Sequence, residues 1–169
     1  MLFTDGAAEG VNRQDVTIGG VLIDTVTQIT RFYGCAVDPA LVRCWQSGGS
    51  QQVIGQGELL PVLLSRRLWK EEMQGRRVFA FVDNDSARDS LVAAFSPSAH
   101  SMNIIYRFLE MDLSSVSHFW FARVPSKSNI ADGPSRLDFD EVSALPHSTR
   151  VDVSVQASLL FQELCFRPR

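Results

Sequence analysis

The stretch Arg77–Val82 (RVFAFV) constrains this chain more than any other. Five apolar residues follow one charge without a polar break, and the run stops at Asp83-Asn84-Asp85. A strand with one wet face alternates polar and apolar residues. An unbroken run suits a strand covered on both faces. The fold must therefore place layers on both sides of a sheet, with this strand near its middle. The acids at its end fall where α/β sheets form their sites, beyond the carboxyl ends of the strands.

The flanking sequence supplies candidate layers. Met1–Thr4 reads as a short strand ended by an Asp5-Gly6 turn. Thr17–Asp24 reads as a second strand, in which Gly19-Gly20 marks a bulge or a close backbone approach. Gln28–Val37 is a third, close enough to form a hairpin with the second. Pro39–Gln46 suits a helical turn, ended by a loop at Ser47-Gly48-Gly49-Ser50. Leu59, Leu60, Leu63, Leu64, Leu68 and Met73 recur at helical spacing and predict one long helix over Gln56–Gln74, ended by Gly75. Ser86–Phe95 and Ser101–Asp112 read as helices on either side of a Ser96-Pro97-Ser98 loop. His118–Val124 reads as a fifth strand. Pro125–Asn129 turns the chain, and Asn129–Arg136 holds a short helical turn. The order β-β-β-α-β-α-α-β-α predicts an α/β fold, a mixed sheet with helices on both faces.

The 169 residues allow one domain. The 16 Lys and Arg against 19 Asp and Glu give a net charge of −3, which excludes a chain basic all over but not one with a basic face. Cys35, Cys44 and Cys165 lie far apart, and with His100, His118 and His147 they form no zinc-like spacing. The odd cysteine count and the N-terminus, which has no secretory pattern, point to an intracellular protein of cytoplasm or nucleus. No apolar run reaches the ~18 residues of a membrane span.

Four acids stand out by location: Asp5 at the end of the first strand, Glu58 at the start of the long helix, Asp83 at the end of the central strand, and Asp132 in the last helical turn. Any one of them reads equally as a cap or a surface charge. Brought together, carboxylates repel and resist ionisation unless a cation neutralises them. Hard oxygen donors suit Mg²⁺ or Mn²⁺, and a pair of such ions can clamp a phosphodiester.

The stretches LFTDGA around Asp5, QGELL around Glu58, FVDNDSA around Asp83 and RVPSKSNIADGPSR around Asp132 resemble a ribonuclease H domain of retroelement reverse transcriptases. The last stretch resembles the N-x-x-A-D-x-x-S-R signature of retrotransposon ribonucleases H. The resemblance runs from Leu2 to about Arg136 and implies a domain over residues 1–136, with 137–169 as a C-terminal extension. It implies a ribonuclease H-like fold: five strands in the order 3-2-1-4-5, strand two antiparallel to its neighbours. It also implies hydrolysis of the RNA strand of an RNA/DNA hybrid, giving 5′-phosphate and 3′-hydroxyl ends, with two Mg²⁺ ions and Mn²⁺ as a substitute. Asp5 would bridge both ions. Glu58 and Asp83 would hold the ion on the leaving-group side, and Asp132 would complete the site that activates water. The partners implied are the hybrid and a reverse-transcriptase polymerase domain in cis, with no membrane.

Other residues have weaker roles. Gln56 and Asn84 are placed to touch the hybrid backbone. Arg66, Arg67, Lys70, Arg76 and Arg77 form a basic cluster; Arg66 and Lys70 from it, and Lys127 in the last loop, are candidate phosphate contacts. That loop lacks the histidine the family often carries. Pro61 is tolerated only in a first helical turn, so Glu58 is expected there. Asp85 reads as a helix cap, Trp45, Trp69 and Trp120 read as core, and Glu9 has no assigned role. The tail holds a β-like stretch, Val151–Val155, and an amphipathic end, Gln156–Phe166, expected to pack on the domain or on a neighbour. Two other functions fit the same residues: a non-catalytic nucleic-acid-binding module, and another nuclease of the same superfold.

Overall fold

A computed structural model describes residues 1–10, 15–47, 53–113 and 115–165. The strands are β1 (Leu2–Glu9), β2 (Asp15–Ile23), β3 (Thr30–Ala36), β4 (Arg77–Val82), β5 (His118–Arg123) and β6 (Ser148–Arg150). The helices are α1 (Pro39–Gln46), α2 (Ile54–Leu68), α3 (Lys70–Met73), α4 (Asp85–Ala93), α5 (Ala99–Leu113), α6 (Asp132–Ser135), α7 (Asp140–Ser143) and α8 (Ser154–Cys165). Residues 48–50 of the expected glycine loop and residue 166 of the expected last helix lie outside the described residues.

The sheet has the order β5-β4-β1-β2-β3-β6. The expected order of five strands is present, and β2 runs antiparallel to β1 and β3. The sixth strand is new. It lies parallel to β3, pairing Thr30 with Ser148 and Phe32 with Arg150. The tail strand is thus Ser148–Arg150, not Val151–Val155. Its three residues are held by pairing across the sheet rather than by local preference.

Three other boundaries moved for physical reasons. The first strand does not stop at Thr4: Asp5 and Gly6 continue the ladder, opposite Gly19 and Ile18. No bulge interrupts that register at Gly19-Gly20. The long helix is broken at Trp69 (φ −109, ψ 33), where the buried indole enters the core. Finally, α2 begins at Ile54, so Pro61 lies inside it and Glu58 falls beyond its first turn. The proline ring leaves the Gly57 carbonyl without its usual helical donor. The Pro61 carbonyl instead accepts from the Tyr33 hydroxyl at 3.0 Å.

The main core lies on one sheet face. There α2 packs on β1 and β2, α5 packs on α2, and α8 packs on α1 and α2. Ala157, Leu160, Phe161 and Leu164 of α8 are buried in it, so the tail is structural. On the other face, α6 covers β1, β2 and β3, and Val21, Phe32, Ala131 and Val142 form a smaller core. Leu160→Ala, which empties a fully buried position, is expected to lower unfolding free energy in urea by about 2–4 kcal/mol. A loss under 1 kcal/mol would mean that α8 is only loosely attached.

Candidate active site

The sheet register places two acids side by side. Thr4 pairs with Val82, so Asp5 and Asp83 are the next residues on two adjacent parallel strands. There β4 ends while β1 runs on, leaving the β4 side of β1 open at Gly6. Glu58 of α2 comes into that opening. A Cβ on Gly6 would overlap the Gly57 carbonyl, so only glycine lets helix and strand backbones meet here. Gly57 O is the carbonyl that Pro61 leaves free. The Gly6 N–H in turn donates to the Glu58 carboxyl. One carboxylate oxygen from each of Asp5, Glu58 and Asp83 then lies within 4.8 Å of the other two.

The other face of β1 receives α6. A Cβ on Gly19 would overlap the Ser135 N–H, and one on Gly34 would overlap the Pro134 carbonyl. This close seat brings the fully buried Ser135 hydroxyl onto Asp5 Oδ2. The turn before α6 is pinned by Asn129, whose Nδ2 donates to the Thr4 carbonyl at 3.1 Å and whose Oδ1 accepts from the Ala131 N–H at 3.2 Å. Asn129 stands three residues before Asp132, one closer than in the retrotransposon spacing.

Asp132 lies near enough to act electrostatically on Asp5, yet outside the three-carboxylate group. Its carboxylate faces Arg136, with Nε 3.3 Å from both oxygens. Arg136 Nη1 also lies 3.3 Å from Glu9 Oε1, which gives Glu9 a partner. The role of Ser135 and Arg136 was missed as a role but present as a pattern: both belong to the S-R end of the quoted signature.

Burial governs the electrostatics. Asp5 is raised to about 6, first by burial, against the Ser135 hydrogen bond, and further by Asp83 and Asp132. Glu58 is raised to about 9 by burial and then by Asp5 and Asp83. Its Oε2 is buried and has no hydrogen-bond partner. Three converging hard oxygen donors, one of them orphaned, fit a divalent cation such as Mg²⁺ or Mn²⁺.

The remaining expected contacts divide. Gln56 is buried near the site, its Nε2 donating to Ser98 Oγ at 3.1 Å and its Oε1 unpartnered. Asn84 follows Asp83 and caps α4, its Oδ1 accepting from the Ala87 N–H at 3.0 Å. Asp85 is therefore not the cap; it pairs with Arg88 and Arg123. Lys127 is exposed in a 3-10 turn at Ser126–Ser128, and Lys70 is exposed at the start of α3. Arg66 is not available to a phosphate. It is fully buried, donates to Ser115 Oγ, lies 4.0 Å from Asp112 and sits over the Phe119 ring. Of its basic neighbours, Arg67 pairs with Glu163 and Arg76 with Asp24.

No protein-family model matches the sequence, and no curated protein matches it. Solved structures do match in fold. The RNase H1 of the halophilic archaeon Halobacterium salinarum superposes with a TM-score of 0.61 at 16% identity, over 83% of this chain and 96% of that one. LC11-RNase H1, solved in complex with an RNA/DNA hybrid, gives 0.57 at 13% identity, over 85% and 98%. The N-terminal RNase H domain of a Mycobacterium tuberculosis protein gives 0.54 at 10% identity, over 84% and 94%. The chain therefore has a ribonuclease H-like fold.

The raised carboxyls carry a test. Glu58 holds its proton in the folded protein up to about pH 9 and loses it near 4.5 when unfolded. Its contribution to stability is complete below 4.5 and is lost as pH rises toward 9. In EDTA, the urea midpoint is expected to fall from pH 5 to pH 9, and Glu58→Gln should flatten that fall. A variant with the wild-type slope would show that Glu58 is not a buried acid.

Proposed function

We propose that this chain is a metal-dependent ribonuclease H that hydrolyses the RNA strand of RNA/DNA hybrids. The observation that carries this reading is the convergence of Asp5, Glu58 and Asp83 where β4 ends beside β1, with an unsatisfied glutamate oxygen among them. Three buried or half-buried acids have no structural reason to meet. Each opposes ionisation of the others unless a cation is held there.

Asp5, at the centre, is the residue both ions would share, with Glu58 and Asp83 on one side of it. Asp132 would complete the other side once its carboxylate turns from Arg136. Two Mg²⁺ ions, or Mn²⁺ in their place, supply an activated water and charge stabilisation at the leaving 3′-oxygen. Ser135 holds Asp5 Oδ2 and so fixes the plane of that carboxylate. Asn84, next to Asp83, would meet the hybrid backbone, and the exposed Lys127 and Lys70 would offer phosphate contacts, whereas Gln56 is buried with its amide on Ser98 and would have to open to join them. The RNA strand is distinguished by its 2′-hydroxyls and the groove shape they impose. The RNase H1 solved with an RNA/DNA hybrid shares this fold, which supports the substrate class. The signature around Asp132 supports a place within a retroelement reverse transcriptase, beside its polymerase domain and inside the cell.

The test is labelled RNA/DNA hybrid, duplex DNA and duplex RNA, each incubated with the protein in Mg²⁺ or Mn²⁺. The expected result is cleavage of the RNA strand of the hybrid alone, leaving 5′-phosphates. Asp83→Asn should reduce the rate by about a hundredfold or more. Absence of cleavage with either metal would favour a nucleic-acid-binding module, and cleavage of duplex DNA a different nuclease.

A further inference from the structure

Asp132 stands apart from the other three acids. Asp5, Glu58 and Asp83 bring carboxylate oxygens within 4.8 Å of one another, and Asp132 does not join them. Its carboxylate is held by Arg136, one helical turn later. Arg136 Nε lies 3.3 Å from both oxygens, and Nη2 lies 3.3 Å from Oδ1. The same guanidinium reaches the other way and places Nη1 3.3 Å from Glu9 Oε1. One arginine is thus shared by two acids, and one of the two, Asp132, also acts on Asp5.

The backbone beneath these side chains is fixed. The Asp132 N–H donates to the Asn129 carbonyl at 3.0 Å, and the Arg136 N–H donates to the Gly133 carbonyl at 2.9 Å. Between them, Pro134 and Ser135 sit directly on Gly19 and Gly34. Asp132 can therefore approach Asp5 only by turning its own side chain, and that turn breaks its contacts with Arg136. Those contacts are suited to breaking. A tight charge-assisted pair lies at about 2.7–2.9 Å, and these are longer. The three side chains are between 43% and 69% exposed, so water screens their attraction.

Glu9 gives the released arginine somewhere to go. It ends β1, four residues after Asp5 and on the same face of the strand, about 13 Å further along. A guanidinium left beside the cluster would oppose a second positive charge there. Drawn toward Glu9, it opposes that charge less.

We infer that Arg136 and Glu9 are positioning residues that act through Asp132. Arg136 holds Asp132 off the cluster until a second divalent cation competes for it, and Glu9 keeps the arginine once Asp132 has turned. This rests on the reading of the carboxylates as a two-cation site. Asp5, Glu58 and Asp83 are already together and hold the first ion. The second needs Asp132, so it has to displace Arg136. Loading is ordered, and the second affinity is set by two residues that touch neither ion.

The experiment is calorimetric titration of Mn²⁺, with folding of every variant verified by circular dichroism. Wild type is expected to bind one ion and then a second more weakly. Arg136→Gln frees Asp132 and should tighten the second event about threefold or more, the scale of an exposed ion pair. Glu9→Gln leaves Arg136 to Asp132 alone and should weaken that event by a similar factor. Charges acting only through space would give the same two signs, but Glu9 would then act whether or not Arg136 is present. In Glu9→Gln combined with Arg136→Gln, the second event should match that of Arg136→Gln alone. A second event seen only after Arg136 is removed would equally support the inference. It is overturned by a second event missing from wild type and Arg136→Gln alike, by one that either single variant leaves unchanged, or by a Glu9→Gln effect that persists in the double variant. Each of those outcomes keeps the first ion and the cation site. Absence of all Mn²⁺ binding, in wild type as in Asp83→Asn, overturns the cation reading itself and this inference with it.

Discussion

Two places where backbone meets backbone without side chains between them organise this protein. At Gly6, α2 approaches β1 so closely that the Gly57 carbonyl occupies the space of a Cβ. At Gly19 and Gly34, the α6 turn sits directly on β2 and β3. The first contact delivers Glu58 to the end of the sheet, and the second delivers Ser135 and Asp132. Since Asp5 and Asp83 are already adjacent by strand register, the first contact completes the cluster of three and the second sets Ser135 on Asp5. Proline at position 61 belongs to the same device: it removes the donor that would have claimed Gly57 O.

The cluster is electrostatically costly without a counter-charge. Burial and mutual repulsion raise Glu58 to about 9 and Asp5 to about 6, so the metal-free fold holds a proton on Glu58 at neutral pH. Arg136 relieves part of the repulsion by holding Asp132 and Glu9, and Ser135 relieves part by donating to Asp5. A cation bound among the carboxylates would displace that proton, which links its affinity to pH. The arrangement suits a site that exists to bind hard cations rather than one that stabilises the fold.

Much of this was legible in the sequence. Arg77–Val82 is a strand with those bounds, but it is not covered on both faces as its unbroken apolar run suggests: Val78, Ala80 and Val82 are buried, while Phe79 on the other face is 49% exposed. The sheet order followed the motif resemblance, and three of the four acids named from it, Asp5, Glu58 and Asp83, come together. What was not legible depends on distant partners. Asp5-Gly6 carries a strong turn signal, yet Gly6 is glycine because a helix lies against it. Arg66 looked like part of a basic face, but α2 is packed on almost every side, and Ser115 and Phe119 receive the guanidinium. Trp120 looked like core because its strand is apolar, and only the strand order reveals that it sits at an edge. The tail strand β6 is too short to be read from three residues and exists because β3 offers it a ladder.

The glycine contacts, and not the carboxylates alone, set the acids where a cation would be held. Calorimetric titration of Mn²⁺ into wild type and Gly6→Ala tests it most directly, because the variant keeps all four acids. With folding of both verified by circular dichroism, Gly6→Ala is expected to bind Mn²⁺ more weakly by about tenfold or more. Equal affinity in the two proteins would contradict it.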